Sequence, residues 1–187
     1  DFRASEGQTG GLLRYRPGAG EWDHFHADET TRAPYAVTRT GDGTVWVGSN
    51  GLMRFRDGAW TTVSGPEGVS SWIQSLAVDG DDNLWVGTRL YGLYRLKGSS
   101  SPAEGAWTRY TTADGLADNW VHAVRMGPDG TVWASTMRGV SRFDGNTWTA
   151  EATPHLMDAH SVVPASGYLW INTPGGVIRY LAHRGAP

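Results

Sequence analysis

Two tryptophans are the first residues in this chain whose type and spacing suggest chemistry. Trp72 and Trp120 each lie thirteen residues ahead of another Trp, Trp85 and Trp133, and so hold one place in two copies of a longer pattern; Ala33 holds it ahead of Trp46. A pair of aromatic faces in register on one rim can stack on sugar rings or on another flat apolar surface, at small entropic cost. The same pair can also simply cap the core between neighbouring repeats. Two residues further on, the register brings Tyr35, Gln74 and His122, with His160 at the matching place in a later copy. Polar side chains repeated at one position suit either hydrogen bonds to a ligand or the solvated lining of a funnel. Arg89, Tyr91 and Arg138 follow the Trp-centred runs in short loops. They would add charge-assisted contacts to an acidic ligand such as a uronate.

Other signals are weaker. His24 and His26 alternate on one strand face and form at most a two-point metal grip, with no third ligand evident. The run Asp79 to Asn83 resembles a calcium loop only superficially. It occupies a hairpin turn and lacks the downstream Glu, so the turn reading prevails. There is no Cys nucleophile, no Gly-x-Ser-x-Gly elbow and no phosphate-binding Gly loop opening a helix. No cofactor and no catalytic residue is expected from these patterns.

The elements that must position these groups come from an internal repeat. A phrase of turn, Trp-centred apolar run, second turn and Gly-apolar-x-Arg-apolar reads DGDDNLWVGTRLYGLYR from Asp79. It recurs from Gly41, Pro128 and Ala165, with a worn copy over Phe2 to Tyr15. Period-two alternation between turn signals divides each copy into strands A to D. Strand B carries Trp46, Trp85, Trp133 and Trp170, with Phe2 in the worn copy, and strand C carries Arg14, Arg54, Arg95, Arg142 and Arg179. Strand D carries Trp22, Trp60, Trp107 and Trp148, and strand A contributes Val37, Leu76, Val124 and Val162.

About forty residues holding four short antiparallel strands is the size of a propeller blade. The fold class is therefore all-β, a β-propeller of four-stranded blades. The expected repeats span approximately 1–26, 27–64, 65–112, 113–152 and 153–187 of a single domain. The strand B Trp is expected to fill the wedge between neighbouring blades. The strand C Arg, present in every copy, is expected to bridge to a carbonyl or carboxylate of the next blade. Pro154 to His160 is too short for a free-standing helix. The insertion Gly98 to Ala106 reads as a surface loop between strands C and D. The strand count is eighteen where five complete blades need twenty, which favours part of a larger ring with unpaired edges that other chain segments would cover.

Composition bounds the partners. The net charge of −3, with acidic and basic residues interleaved, offers no basic stripe for nucleic acid. No apolar run is long enough for a membrane span, so no membrane insertion by this segment is expected, and nothing resembles a signal peptide. The chain opens at Asp1 and reads as a mature or excised piece. Hydrophobic residues at 39% with ten Trp supply an adequate core. The absence of Cys excludes disulfides and thiolate metal sites and suits a bacterial periplasm or exterior.

The run from Asp114 to Trp148, DGLADNWVHAVRMGPDGTVWASTMRGVSRFDGNTW, resembles the two-component regulator propeller repeat, and GVSSWIQSLAVDGDDNLWVGTRLYGLYRL is equally similar. The pattern is broken where Ser71 stands in the place of Asn119 and where Ala134-Ser135-Thr136 replaces Val-Gly-Thr. The resemblance implies a propeller of the kind found in periplasmic ligand-sensing regions of bacterial membrane sensors, many of which detect glycans, and it carries over no catalytic residues. The expected partner is an oligosaccharide or other small ligand, or a protein, at the face where the D-to-A and B-to-C loops gather. Two alternatives stand beside it. One is a propeller enzyme similar to virginiamycin B lyase, which would need His122 or His160 with Glu67, Asp114 or Asp118 and a metal. The other is a structural subunit that pairs through open strand edges.

Overall fold

The computed structural model describes residues 11–26, 34–98, 106–151, 153–165 and 167–181, apart from the side chains of residues 11, 24 and 26. Seventeen strands lie within them, in antiparallel meanders of consecutive strands. β1 (Gly11–Arg16) and β2 (Glu21–His26) form a hairpin. Two complete four-stranded sheets follow: β3 (Ala36–Arg39) to β6 (Ala59–Val63) through β4 (Val45–Gly48) and β5 (Leu52–Arg56), then β7 (Ile73–Val78) to β10 (Trp107–Tyr110) through β8 (Leu84–Thr88) and β9 (Leu93–Leu96). A third complete sheet runs from β11 (Val121–Met126) through β12 (Val132–Thr136) and β13 (Gly139–Phe143) to β14 (Trp148–Glu151). β15 (Ser161–Ala165), β16 (Tyr168–Thr173) and β17 (Gly176–Leu181) make a three-stranded sheet. The eighteenth expected strand, around Phe2, lies outside the described residues, as does 99–105 of the expected insertion. Pro154–Leu156 is a single 3-10 turn.

The first strands of successive sheets pack side by side, β3 on β7, β7 on β11 and β11 on β15, so the sheets radiate from a common inner line. Three of the four strand B tryptophans fill the wedges as expected, and Trp170 of the last sheet does not. Trp46 packs with Ile73, Leu76 and Val86 of the next sheet, Trp85 with Val121, Phe143 and Trp148, and Trp133 with Leu156, Val162 and Ile171. Burying such an indole contributes roughly 4–6 kcal/mol relative to exposure. The burial pattern records which sheets have neighbours on both faces. Every residue of β8 and of β12 is buried, whereas β16 alternates and leaves Trp170 46% exposed. A strand covered on two faces tolerates apolar residues throughout, and one covered on a single face shows period two.

The repeated strand C Arg does not bridge to the next blade. It pairs directly opposite the strand B Trp of its own sheet: Trp46 with Arg54, Trp85 with Arg95, Trp133 with Arg142 and Trp170 with Arg179. Cross-strand partners on one face sit close enough for side-chain contact. Arg95 accordingly lies over the Trp85 ring with its Cζ 5.4 Å from the centroid. Arg54 donates to Thr61 Oγ1 and Arg14 to Asp23, each on the adjacent strand of its own sheet. Among the described residues, only Arg14 also reaches the neighbouring sheet, over the Phe55 ring at 5.9 Å. The recurrence is thus a register effect within each sheet.

Candidate functional site

The inner strands carry the repeated polar position to one place. In β7 and β11 the pairing register shifts between Ile73 and Ser75 and between Val121 and Ala123, which makes Gln74 and His122 the extra residues of two β-bulges. A bulge turns its extra side chain away from the alternating pattern of the strand. Tyr35 and His160 sit at the mouths of β3 and β15, where their backbone N–H groups donate to Gly48 and Asn172. Tyr35, Gln74, His122 and His160 all line one cavity of about 290 Å³, with Arg125 and Ser161 beside them.

Within this cavity His122 and His160 stack with ring centroids 5.2 Å apart and planes 17° apart. Asp158 lies against both: its Oδ1 is 3.2 Å from His122 Nε2 and its Oδ2 is 3.2 Å from His160 Nε2. The His122 contact is an ion-pair distance without hydrogen-bond alignment, so His122 Nε2 is buried with no hydrogen-bonded partner. Burial holds the His122 imidazole below its ordinary value, outweighing the opposing attraction of Asp158. His122 is therefore mainly neutral at pH 7. Asp158 itself has φ of 53° and is fixed by its N–H donating to the Met137 carbonyl. Residue reasoning on the sequence missed Asp158. The available signal was its position two residues before His160, but it belongs to no repeated register.

Trp72 and Trp120 stand on neighbouring sheets and converge on Arg89. The Arg89 Cζ is 4.3 Å from the Trp72 ring centroid and 4.6 Å from that of Trp120, which places the guanidinium between the two indoles. The Arg89 backbone N–H donates to the Trp72 carbonyl, and Met137 N–H repeats that bond with Trp120 in the next sheet. Trp72 remains 43% exposed. The Trp120 ring also contacts His122, with centroids 5.4 Å apart, and so joins the clamp to the cavity. The expected bare aromatic platform is thus an aromatic pair with a cation between its members.

The remaining expected residues do not line the cavity. Tyr91 places its hydroxyl 3.4 Å from Glu67 and its carbonyl accepts from Arg109. Arg138 is paired with Asp118 at 3.3 Å. The acids weighed for a lyase-type centre have other employment: Asp118 also accepts from Trp120 N–H, and Asp114 closes a capping box with Thr111. Asp158 faces the histidines in their stead. The side chains of His24 and His26 lie outside the described residues. Among the described residues, no group of three or more His, Asp or Glu side chains is arranged to hold a metal ion.

The run Asp79 to Asn83 is a turn in the structure. The Asp79 carboxylate accepts from the N–H groups of Asp81 and Asn83, from the Asn83 amide and from the Trp85 indole at 2.8 Å.

Antiparallel four-stranded sheets radiating from an inner line define a β-propeller architecture. Residues 67–89 match the family model of the two component regulator propeller, so the chain carries a repeat of that kind. No curated protein matches the sequence significantly. Among solved structures, the chain is similar to the extracellular domain of the one-component system BT4673 from B. thetaiotaomicron, with a TM-score of 0.70 at 18% identity over 91% of this chain and 24% of that one. It is also similar to the extracellular domain of the hybrid two-component system BT3049 from the same organism, with a TM-score of 0.65 at 17% identity over 95% of this chain and 24% of that one. A catalytically inactive virginiamycin B lyase from Staphylococcus aureus, with quinupristin, gives a TM-score of 0.60 at 18% identity over 84% of this chain and 58% of that one. These likenesses show the fold. The chain spans about a quarter of the length of the two sensor domains. No helix among the described residues is long and apolar enough to cross a membrane.

Proposed function

We propose that this chain is a non-catalytic ligand-binding part of an extracytoplasmic sensor propeller, and that it takes a glycan at the cavity mouth. The observation that carries the reading is the convergence of Tyr35, Gln74, His122 and His160 from four successive sheets on one cavity, with the Trp120 ring against His122 and Trp72 joined to it through Arg89. Four inner strands supply hydrogen-bonding groups of different lengths around one opening, and the half-exposed Trp72 supplies a stacking face. Such a mix of aromatic surface and convergent polar groups suits a sugar. The extracellular domains to which the chain is similar support a location outside the cytoplasm, in a periplasm or beyond the cell.

A thermal-shift screen of the purified chain against neutral and acidic oligosaccharides tests the proposal. At least one sugar is expected to raise the melting temperature, and the Trp72→Ala/Trp120→Ala variant, folded by circular dichroism, is expected to lose that shift. A panel that leaves the wild-type chain unmoved, or a shift that survives in the variant, would contradict the assignment.

A further inference from the structure

Arg89 is held as few surface arginines are. Two indoles confine its guanidinium, at 4.3 and 4.6 Å from the ring centroids, and it remains partly accessible to solvent. Each such contact is favourable and restrains the plane of the group. No described residue accepts a hydrogen bond from its guanidinium N–H groups, and no described carboxylate pairs with it. The acids of the surrounding loops have other partners: Glu67 the Tyr91 hydroxyl, Asp114 Thr111, Asp118 Arg138 and the Trp120 backbone N–H, and Asp158 the two histidines. The Trp120 indole N–H is likewise buried without an acceptor. The edge of the Arg89 guanidinium is thus left without an acceptor among the described residues. A confined guanidinium with an unoccupied edge matches a planar anion, because two parallel N–H groups fit the two oxygens of a carboxylate.

We infer that Arg89 is the anion-recognising group of this face and that the ligand bears a carboxylate, as an acidic oligosaccharide of uronic acid units does. The inference deepens the glycan reading above and rests on it. Trp72 and Trp120 orient the guanidinium, and Arg89 selects acidic over neutral or esterified sugar.

Isothermal titration calorimetry on the full chain separates the outcomes, with four probes: oligogalacturonide, its methyl-esterified form, a neutral galactan oligosaccharide, and citrate as a carboxylate without a sugar. Oligogalacturonide is expected to bind at least about tenfold more tightly than its ester, with affinity falling as salt rises. Arg89→Gln is expected to abolish that preference. Arg89→Lys, which keeps the charge but loses the planar fork, is expected to retain only part of it. Equal affinity for acid and ester, or an acid preference that survives Arg89→Gln, would overturn the inference and leave the glycan reading standing. Citrate binding that requires Arg89, with no sugar bound, would overturn the glycan reading and leave Arg89 as an anion site. Binding of none of the four would overturn both. Unchanged melting curves for the variants confirm that the comparison is between folded proteins.

Discussion

Asp79 shows how much one side chain can organise. Its carboxylate ties together the turn before β8 and reaches the indole N–H of the wedge residue Trp85. Burial alone would raise its pKa, but the hydrogen bonds from Asn83, Trp85 and Asp81 outweigh that and hold it below the usual carboxylate range. A depressed folded-state pKa means that the unfolded chain binds the proton more readily. The stabilisation is therefore complete above the unfolded value and is lost as pH falls through the folded one, below roughly 4. Asp79→Ala is expected to cost about 1–3 kcal/mol at pH 7, read from urea midpoints, since it leaves the Trp85 N–H buried without an acceptor. The same variant should lose less stability than wild type between pH 5 and acid; an identical acid limb would remove Asp79 from the account. At this scale the sequence was read unevenly. The turn role of Asp79 was visible from its place in the repeat. The strand C Arg was also visible, but its partner was not, because the period of the repeat cannot distinguish a contact across one sheet from a contact between two. The clamp around Arg89 was hidden for a different reason. Trp72 and Trp120 share a place in the repeat, but no spacing brings Arg89, from a different loop type, between them.

Among the elements, the strand C hairpins depend on one glycine each. Gly51, Gly92, Gly139 and Gly176 open β5, β9, β13 and β17 or directly precede them, and all have positive φ. Gly92 has φ of 83°, and an added Cβ there would meet the Tyr110 carbonyl oxygen. Its N–H also donates to the Asn119 carbonyl of the next sheet. Gly92→Ala is therefore expected to cost at least about 1–3 kcal/mol in denaturant titration and to loosen the Arg89 loop that it follows. A variant as stable as wild type would show that this turn relaxes freely. Strand positions were legible from alternation and turn residues, since each sheet repeats the same burial logic. The bulges at Gln74 and His122 were not. Alternation places a residue on a face, whereas a bulge depends on one extra residue, so that two oppose one across the ladder, which only the pairing reveals.

For the whole molecule, the wedge packing of Trp46, Trp85 and Trp133 sets the angle between sheets, and that angle brings four inner strands to one opening. The architecture was legible because the wedge residue is large, repeated and evenly spaced. The chemistry of the opening was legible only as a set of positions. His122 and His160 were in it, but the shared Asp158 entered from an unrepeated turn. The proposed function requires that ligand engage this opening rather than the outer strands. Its most direct test is a map of amide and indole chemical shifts in the isotope-labelled chain during titration with a pool of oligogalacturonide and neutral galactan fragments. The account predicts perturbations concentrated at Tyr35, Gln74, His122 and His160 and at the indoles of Trp72 and Trp120. Perturbations confined to β6, β10 and β14, or a spectrum that the pool leaves unchanged, would contradict it.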